Sequence, residues 1–411
     1  MSRYRLYPTP PQEAALLSHC AHARYVWNLA VEQRGWWQPG HPASGFAEQC
    51  RQLTEARAAS PWLAAGSVIV QQQALRDFHA TYTSWFASLR EWRRRCAKIP
   101  SGERPAAPSP LSWRKRDVNE GFRVVAVSPE DVRRLNRRWA QVAVPKLGWV
   151  RFRWSRPAPA ARSYRVTRDR AGRWHVAFAA IPAVVAAPGN REVVGVDRGV
   201  AVSIALSTGE LLKAPRLRPT ERRRLRRLER RKARQRKGSR RRERTKLAIA
   251  RLKAKDTNRR RDWTEQVSTD LACRFDLICV EDLDVRAMTR SAKGTPRRHG
   301  RGVRQKAGLN RGILASGWGR LVDRLEQKAP GRVEKVPAAH TSQRCSACGH
   351  IAAENRESQA AFRCVACAWT GNADYNAARN IAAAGQVVAA RGGQGSPRPA
   401  NREPPTVQAV A

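Results

Sequence analysis

The chain has 411 residues, with 79 lysines and arginines against 33 aspartates and glutamates, for a formal charge of +46. Such self-repulsion calls for a polyanion nearby, and nucleic acid is the fitting one; a GC-rich coding bias toward Arg and Ala would not by itself keep acidic residues so scarce. The longest apolar run, residues 176–187, is too short to span a bilayer and is broken by Pro182, which excludes a helical membrane anchor. The length allows two to four domains.

Residues 12–32 and 68–92 carry apolar side chains at helical spacing and are predicted as helices, with Pro39, Pro42 and Pro61 between them and a Pro-rich run over 100–110 after them. Trp27, Trp36, Trp37, Trp62, Trp85, Trp92 and Trp113 lie here; most are expected in the core, although Trp92 among Arg90, Arg93, Arg94 and Arg95 could stack bases and grip phosphates. From residue 121 the period changes to two, predicting an antiparallel, barrel-like β domain through residue 181, with a linker over 182–190.

A strand ending at Asp197, a second over 201–206, a Thr208-Gly209 turn and a third near Leu211 follow; this is how RNase H-like cores begin. Residues 221–246 hold sixteen Lys/Arg in twenty-six positions, predicting a long basic helix, or a hairpin with the segment through Leu252, suited to a phosphate backbone. A helix over 262–273 leads into a buried strand over 277–280 capped by Glu281. Residues 309–328 read as one helix despite Gly312, Gly317 and Gly319. A final helix runs over 372–384, with Asn372 as N-cap and Gly385 as its stop.

Four of the nine cysteines follow a C-x2-C-x15-C-x2-C pattern: Cys345, Cys348, Cys364 and Cys367. Two tight thiolate pairs can each bite one side of a tetrahedral zinc ion, and four sulfur ligands leave no open position, so the zinc is structural. Cys20, Cys50, Cys96, Cys273 and Cys279 have no framework spacing, and no apolar core follows Met1–Arg5 as in a secretion signal. A reduced, cytoplasmic protein is expected. His19 and His22 sit one helical turn apart without a further ligand and read as ordinary helix residues.

Asp197, Glu281 and Asp374 stand at two strand ends and a helix start. Carboxylates converging from separate elements are what two-metal phosphodiester hydrolysis needs, and the first helical turn favours the ionised form of Asp374. Asp282 falls on the opposite face from Glu281, and Asp284 is left without a role.

Gly195-Val196-Asp197-Arg198-Gly199, Val280-Glu281-Asp282-Leu283, Thr341-Ser342-Gln343-Arg344-Cys345-Ser346-Ala347-Cys348-Gly349 and Asp374-Tyr375-Asn376-Ala377-Ala378-Arg379-Asn380-Ile381 together resemble the TnpB (OrfB) family of bacterial insertion sequences, compact relatives of type V CRISPR effectors. The stretches 4–12 and 24–28, with Asn310-Arg311, Trp318 and Lys328, extend the resemblance over nearly the whole chain. It implies a multidomain α+β protein: a split wedge β-barrel (1–9 and 117–190), a helical recognition lobe (10–116) and a RuvC-like, RNase H-like α/β nuclease core (191–340) with a basic helical insertion (216–256). A zinc ribbon (341–370), a last nuclease segment (371–390) and a disordered tail (391–411) complete it.

The resemblance also implies Asp197, Glu281 and Asp374 as catalytic ligands of two Mg2+ ions, and the four cysteines as Zn2+ ligands. A guide RNA from the element's end would pair with double-stranded target DNA beside a short motif, with the protein a monomer on its RNA and nucleoid-associated when bound to DNA. The chain departs from many relatives in lacking a histidine in the helix before residue 277 and in carrying Asp284 where asparagine is frequent. An RNA-guided repressor that does not cut, and a DNA-joining transposase, remain the alternative readings.

Overall fold

The computed structural model describes residues 2–36, 44–97, 99–100, 104–180, 183–294 and 299–392. Trp37, Pro39, Pro42, Pro182 and the tail expected from 391 on, past its first two residues, lie outside them. The chain divides into two compact units, residues 1–181 with 225–252, and residues 182–224 with 253–411.

In the first unit, β1 (Ser2–Arg5) leads into α1 (Pro10–Gly35), α2 (Phe46–Ala59), α3 (Pro61–Ala65) and α4 (Val68–Cys96). Helix α1 starts where it does because Thr9 and Gln12 close a reciprocal capping box and Pro10 fills a position whose N–H would be unpaired anyway. Its buried stripe of Leu16, Cys20, Ala23, Val26 and Trp27 shares a core with Val70, Ala74, Leu75 and Phe78 of α4.

Strands β2 (Gly121–Val125), β3 (Val132–Arg134), β4 (Trp139–Val144), β5 (Gly148–Arg153), β6 (Ser163–Arg168) and β7 (Trp174–Phe178) follow. They form two antiparallel sheets, ordered β1-β7-β6-β2 and β3-β4-β5, tied by a bridge between Leu6 and Phe152. Strict alternation, as in β4, turns Ala140, Val142 and Val144 into the same core as Tyr4, which meets Phe152 and Phe178 edge-on at 5.3 and 5.7 Å.

Of the tryptophans in the first unit's helical part, Trp27 is core, whereas Trp36, Trp62 and Trp113 are exposed. Helical spacing gave no way to separate the buried rings from the exposed ones, because most of these tryptophans lie at helix ends and in connections rather than on the α1–α4 seam.

The second unit is built on β8 (Val193–Asp197), β9 (Ile204–Leu206), β10 (Leu211–Leu212), β11 (Leu277–Glu281) and β12 (Val333–Val336), in the order β10-β9-β8-β11-β12. Strand β11 is parallel to both β8 and β12, while β9 runs antiparallel to β8 and to β10. On one face Val194, Val196, Ile278 and Val280 pack with Val267, Leu271 and Phe275, and with Leu321, Val322 and Leu325.

The basic region is two helices, α5 (Pro219–Arg234) and α6 (Arg240–Arg274), so the helix expected over 262–273 is the end of a longer one. No side chain of α5 is buried. After the short α7 (Val285–Met288), the single helix expected over 309–328 is instead α8 (Val303–Ser316) and α9 (Trp318–Lys328). The chain breaks at Gly317, whose φ of +70° is left-handed and open to glycine at no cost. Strands β13 (Ala361–Arg363) and β14 (Thr370–Asn372) form a hairpin, and α10 (Ala373–Gly392) closes the described chain.

Helix α10 does not stop at Gly385. A Cβ there would lie 2.0 Å from Cys279 Sγ, so this glycine lets the helix press onto β11 rather than ending it. Gly195 does the same for β8: its Cβ would lie 1.9 Å from Ala378 O.

Candidate metal centres and the acidic site

Strand parity decides where the first two acids point. Val194 and Val196 face one side of β8, so Gly195 and Asp197 face the other; on β11, Ile278 and Val280 oppose Cys279 and Glu281. That other side is the one α10 covers. The register pairs Val196 with Val280, so Asp197 and Glu281 each lie one residue beyond matched positions on neighbouring parallel strands. Asp374 enters from the first turn of α10, where Asn372 Oδ1 accepts from the N–H groups of Asp374 and Tyr375 at 3.0 Å each.

Asp197 feels the charges of the other two acids. Burial, and then the charges of Glu281 and Asp374, push the Asp197 carboxyl up to about 7, against the pull of the Arg198 N–H and of Arg356. Burial also raises the Asp374 carboxyl, opposed by Arg356, whose guanidinium lies 3.4 Å from Asp374 Oδ1. Thr341 Oγ1 donates to Glu281 Oε1 at 2.7 Å. Arg198 is buried and donates to the Glu281 carbonyl, holding the two strand ends together. A half-buried carboxyl raised above its ordinary value by burial and then by neighbouring like charges is a site that gains by binding cations.

The cysteines form the second centre. Sγ of Cys345 lies 3.7 Å from that of Cys367, and Sγ of Cys348 lies 3.6 Å from that of Cys364. All four sulfurs fall within 4.8 Å of one another, the one group of three or more metal-ready ligand atoms so close among the described residues. A tetrahedron with Zn–S bonds near 2.3 Å has edges of about 3.8 Å, so the residues fit the ion. Each pair sits on a tight turn: Gly349 N–H donates to Cys345 O at 2.9 Å and Ala368 N–H to Cys364 O at 3.0 Å, with both turn residues at positive φ.

The other candidates resolve simply. His19 Nε2 lies 2.9 Å from Pro145 O and His22 Nε2 lies 3.1 Å from Trp62 O, so both are helix residues bonded to backbone. Asp282 is exposed, and Asp284 caps α7 by accepting from Ala287 N–H at 2.9 Å. No helix among the described residues is long and apolar enough to cross a membrane.

Comparison with known proteins now bears on this geometry. Residues 164–292 match the OrfB_IS605 family model, described as "Probable transposase", and residues 318–381 match the "Cas12f1-like, TNB domain" model. The protein "Putative RNA-guided DNA endonuclease InsQ" of Escherichia coli (strain K12) is 34% identical over 100% of this chain and 98% of its own length. The chain belongs to the TnpB (OrfB) family.

A "Putative RNA-guided DNA endonuclease" of Streptomyces pristinaespiralis is similar to this TnpB-family chain at 28% identity, over 95% of the chain and 90% of the relative. A solved structure, the cryo-EM structure of the Cas12f1-sgRNA-target DNA complex, shares the fold with a TM-score of 0.53 at 12% identity, over 91% of this chain and 83% of that one. The TnpB-family helix-turn-helix model matches residues 2–40, where the described residues form strand β1 and the single helix α1.

Sequence reasoning missed Arg198, Thr341 and Arg356 at the acidic site. Arg198 and Thr341 lie inside the motifs, but only the folded contacts show which atoms they hold. Arg356 lies between the two cysteine pairs, where nothing in the local pattern marks it.

Proposed function

We propose that this chain is an RNA-guided DNA endonuclease with an RNase H-like (RuvC) core, using Asp197, Glu281 and Asp374 to hold two Mg2+ ions and Cys345, Cys348, Cys364 and Cys367 to hold a structural Zn2+ in a ribbon. The observation that carries the reading is the placement of Asp197 and Glu281 at matched ends of β8 and β11, on the face that α10 covers, with Asp374 in the first turn of that helix and close enough for its charge to act on Asp197. The strand order with its leading antiparallel hairpin supports the RuvC-like assignment of residues 191–340 and 371–390. The two sheets joined at Leu6 and Phe152 support a wedge barrel, split around helices that would serve as the recognition lobe.

Divalent cations held by these carboxylates would activate a water for attack on phosphorus and offset charge on the departing oxygen. The chain's own contribution is to fix the carboxylates. Thr341 orients Glu281, Asn372 sets the first turn that carries Asp374, and Arg198 clasps the strand ends. The relatives named as RNA-guided DNA endonucleases, and the excess of positive charge, support a guide RNA and a double-stranded DNA target as partners.

The test is cleavage by protein co-expressed with the DNA flanking its gene, on a plasmid carrying a guide-matched target behind a randomised flank. Magnesium-dependent cuts beside one enriched flank motif, lost in Asp197→Ala while RNA binding persists, are expected. Undiminished cutting by Asp197→Ala would refute the assignment of the site, and guide-dependent binding without cuts would refute the activity.

A further inference from the structure

Between β12 and the first cysteine runs a short loop, residues 337–344, whose backbone is held at Thr341 and Arg344 by one helix. Asn376 and Asn380 lie one turn apart on α10 and both are buried. Asn380 Nδ2 donates to Thr341 O at 2.9 Å and to Arg344 O at 2.7 Å. Asn376 Nδ2 donates to the same Arg344 O at 2.7 Å, while its Oδ1 accepts from Ser346 N–H at 2.8 Å. The two amides therefore grip the backbone on both sides of Cys345, which is itself buried.

At the far end of the loop, Thr341 has one hydroxyl proton and two acceptors in reach, Glu281 Oε1 at 2.7 Å and Ala338 O at 3.1 Å. The shorter contact, to the carboxylate, is the one a charged acceptor favours. A path of hydrogen bonds thus runs from the residues flanking Cys345 through Asn376 and Asn380 to Thr341 and on to Glu281. Its anchor, α10, is the helix whose first turn carries Asp374. Thr341, Asn376 and Asn380 are buried, so a displaced knuckle leaves their donors or acceptors without partners.

We infer that Thr341, Asn376 and Asn380 are positioning residues that couple the cysteine cluster to the acidic site, so that zinc occupancy sets the divalent-cation affinity of Asp197, Glu281 and Asp374. This rests on the reading of those acids as cation ligands. A merely structural staple would change folding stability alike for every loss of a bond. The coupling instead moves cation affinity, and moves it through one hydroxyl.

The measurement is Mn2+ binding to the full chain with its RNA, by electron paramagnetic resonance, with zinc content measured alongside. Thr341→Val, which keeps the shape and removes the hydroxyl, is expected to weaken Mn2+ binding by about 10–100-fold, the usual cost of losing a group that orients a metal ligand. Zinc content should stay at the wild-type level, and Thr341→Ser should restore binding. Cys348→Ser, which removes an exposed zinc ligand, should weaken Mn2+ binding too. The double variant should bind no more weakly than the weaker single, because both break the same path.

Wild-type affinity in Thr341→Val, or losses that multiply in the double variant, would overturn the coupling. The Cys348→Ser arm decides the matter alone if Thr341→Val does not fold, since zinc loss without a change in Mn2+ affinity overturns it equally. The predicted affinity pattern in a protein that cuts no guided target would sink the nuclease reading and leave the coupling standing. Guided cutting with indifferent Mn2+ affinities would do the reverse.

Discussion

Replacing Asp197 by asparagine should stabilise the cation-free protein while removing cleavage. Burial and the charges of Glu281 and Asp374 lift this carboxyl from its ordinary value, about 4, to about 7. The folded state therefore holds the proton more tightly than the unfolded chain does. The resulting stability is fully present below about pH 4 and is lost as pH rises through about 7. Roughly three pH units at about 1.4 kcal/mol each set a ceiling on the order of 4 kcal/mol. Asp197 is only half-buried, and screening by solvent lowers the expected penalty to about 1–2 kcal/mol.

Asparagine has the same shape, keeps an oxygen for the Arg198 N–H, and carries no charge. Unfolding by urea would be followed for both proteins from about pH 4 to about pH 8, with and without Mg2+. The two should match near pH 4, and the variant should lead by about 1–2 kcal/mol from about pH 7 upward. In a unit of this size that corresponds to a Tm higher by about 2–8 °C. Mg2+ should then stabilise the wild type more than the variant, since the ion relieves a repulsion the variant no longer has. A variant less stable at pH 8, or a difference that does not change with pH, would refute the reasoning.

Gly195→Ala should destabilise the second unit by about 3 kcal/mol or more, because overpacking against backbone has no side chain to yield; its Cβ would meet Ala378 O at 1.9 Å and Ala382 N at 2.6 Å. Gly319→Ala, with nothing within 4 Å in helix α9, should instead gain about 0.5–1 kcal/mol; equal effects in chemical denaturation would show that α10 does not press on β8. Replacing Arg223, Arg226 and Arg230, exposed on α5, by glutamine should flatten the plot of log affinity for the co-purified RNA against log salt by about 2, at roughly 0.7 per single-strand phosphate lost. An unchanged slope would show that α5 faces away from the RNA.

Much of the second unit was legible in the chain. Apolar runs that end in an acid, with Gly195 and Cys279 between valines and isoleucines, announce strands buried on both faces, and parity then puts Asp197 and Glu281 on one side. The basic region was legible as helix because Leu225 and Leu228 interrupt the arginines at a helical interval, but the turn at Gln235–Ser239 was not placed by charge alone. Gly317 and Gly385 were read against the usual habits of glycine, one as helix interior and one as helix stop. The structure reverses both: Gly317 takes a left-handed conformation that breaks the helix, and Gly385 meets Cys279, a close neighbour far away in sequence.

By itself, the sequence determined what is local. Four cysteines at zinc-ligand spacing, a capping box at Thr9, an N-cap at Asn372 and the alternation in β4 each follow from contacts within a few residues, where covalent geometry leaves few choices. Only the tertiary structure decided that β8 and β11 lie side by side, that α10 presses onto both, and that Asn376 and Asn380 grip the loop between β12 and Cys345. These pairings join residues dozens to well over a hundred positions apart. Burial and hydrogen-bond satisfaction in the assembled core select them, and no window of the sequence contains both partners.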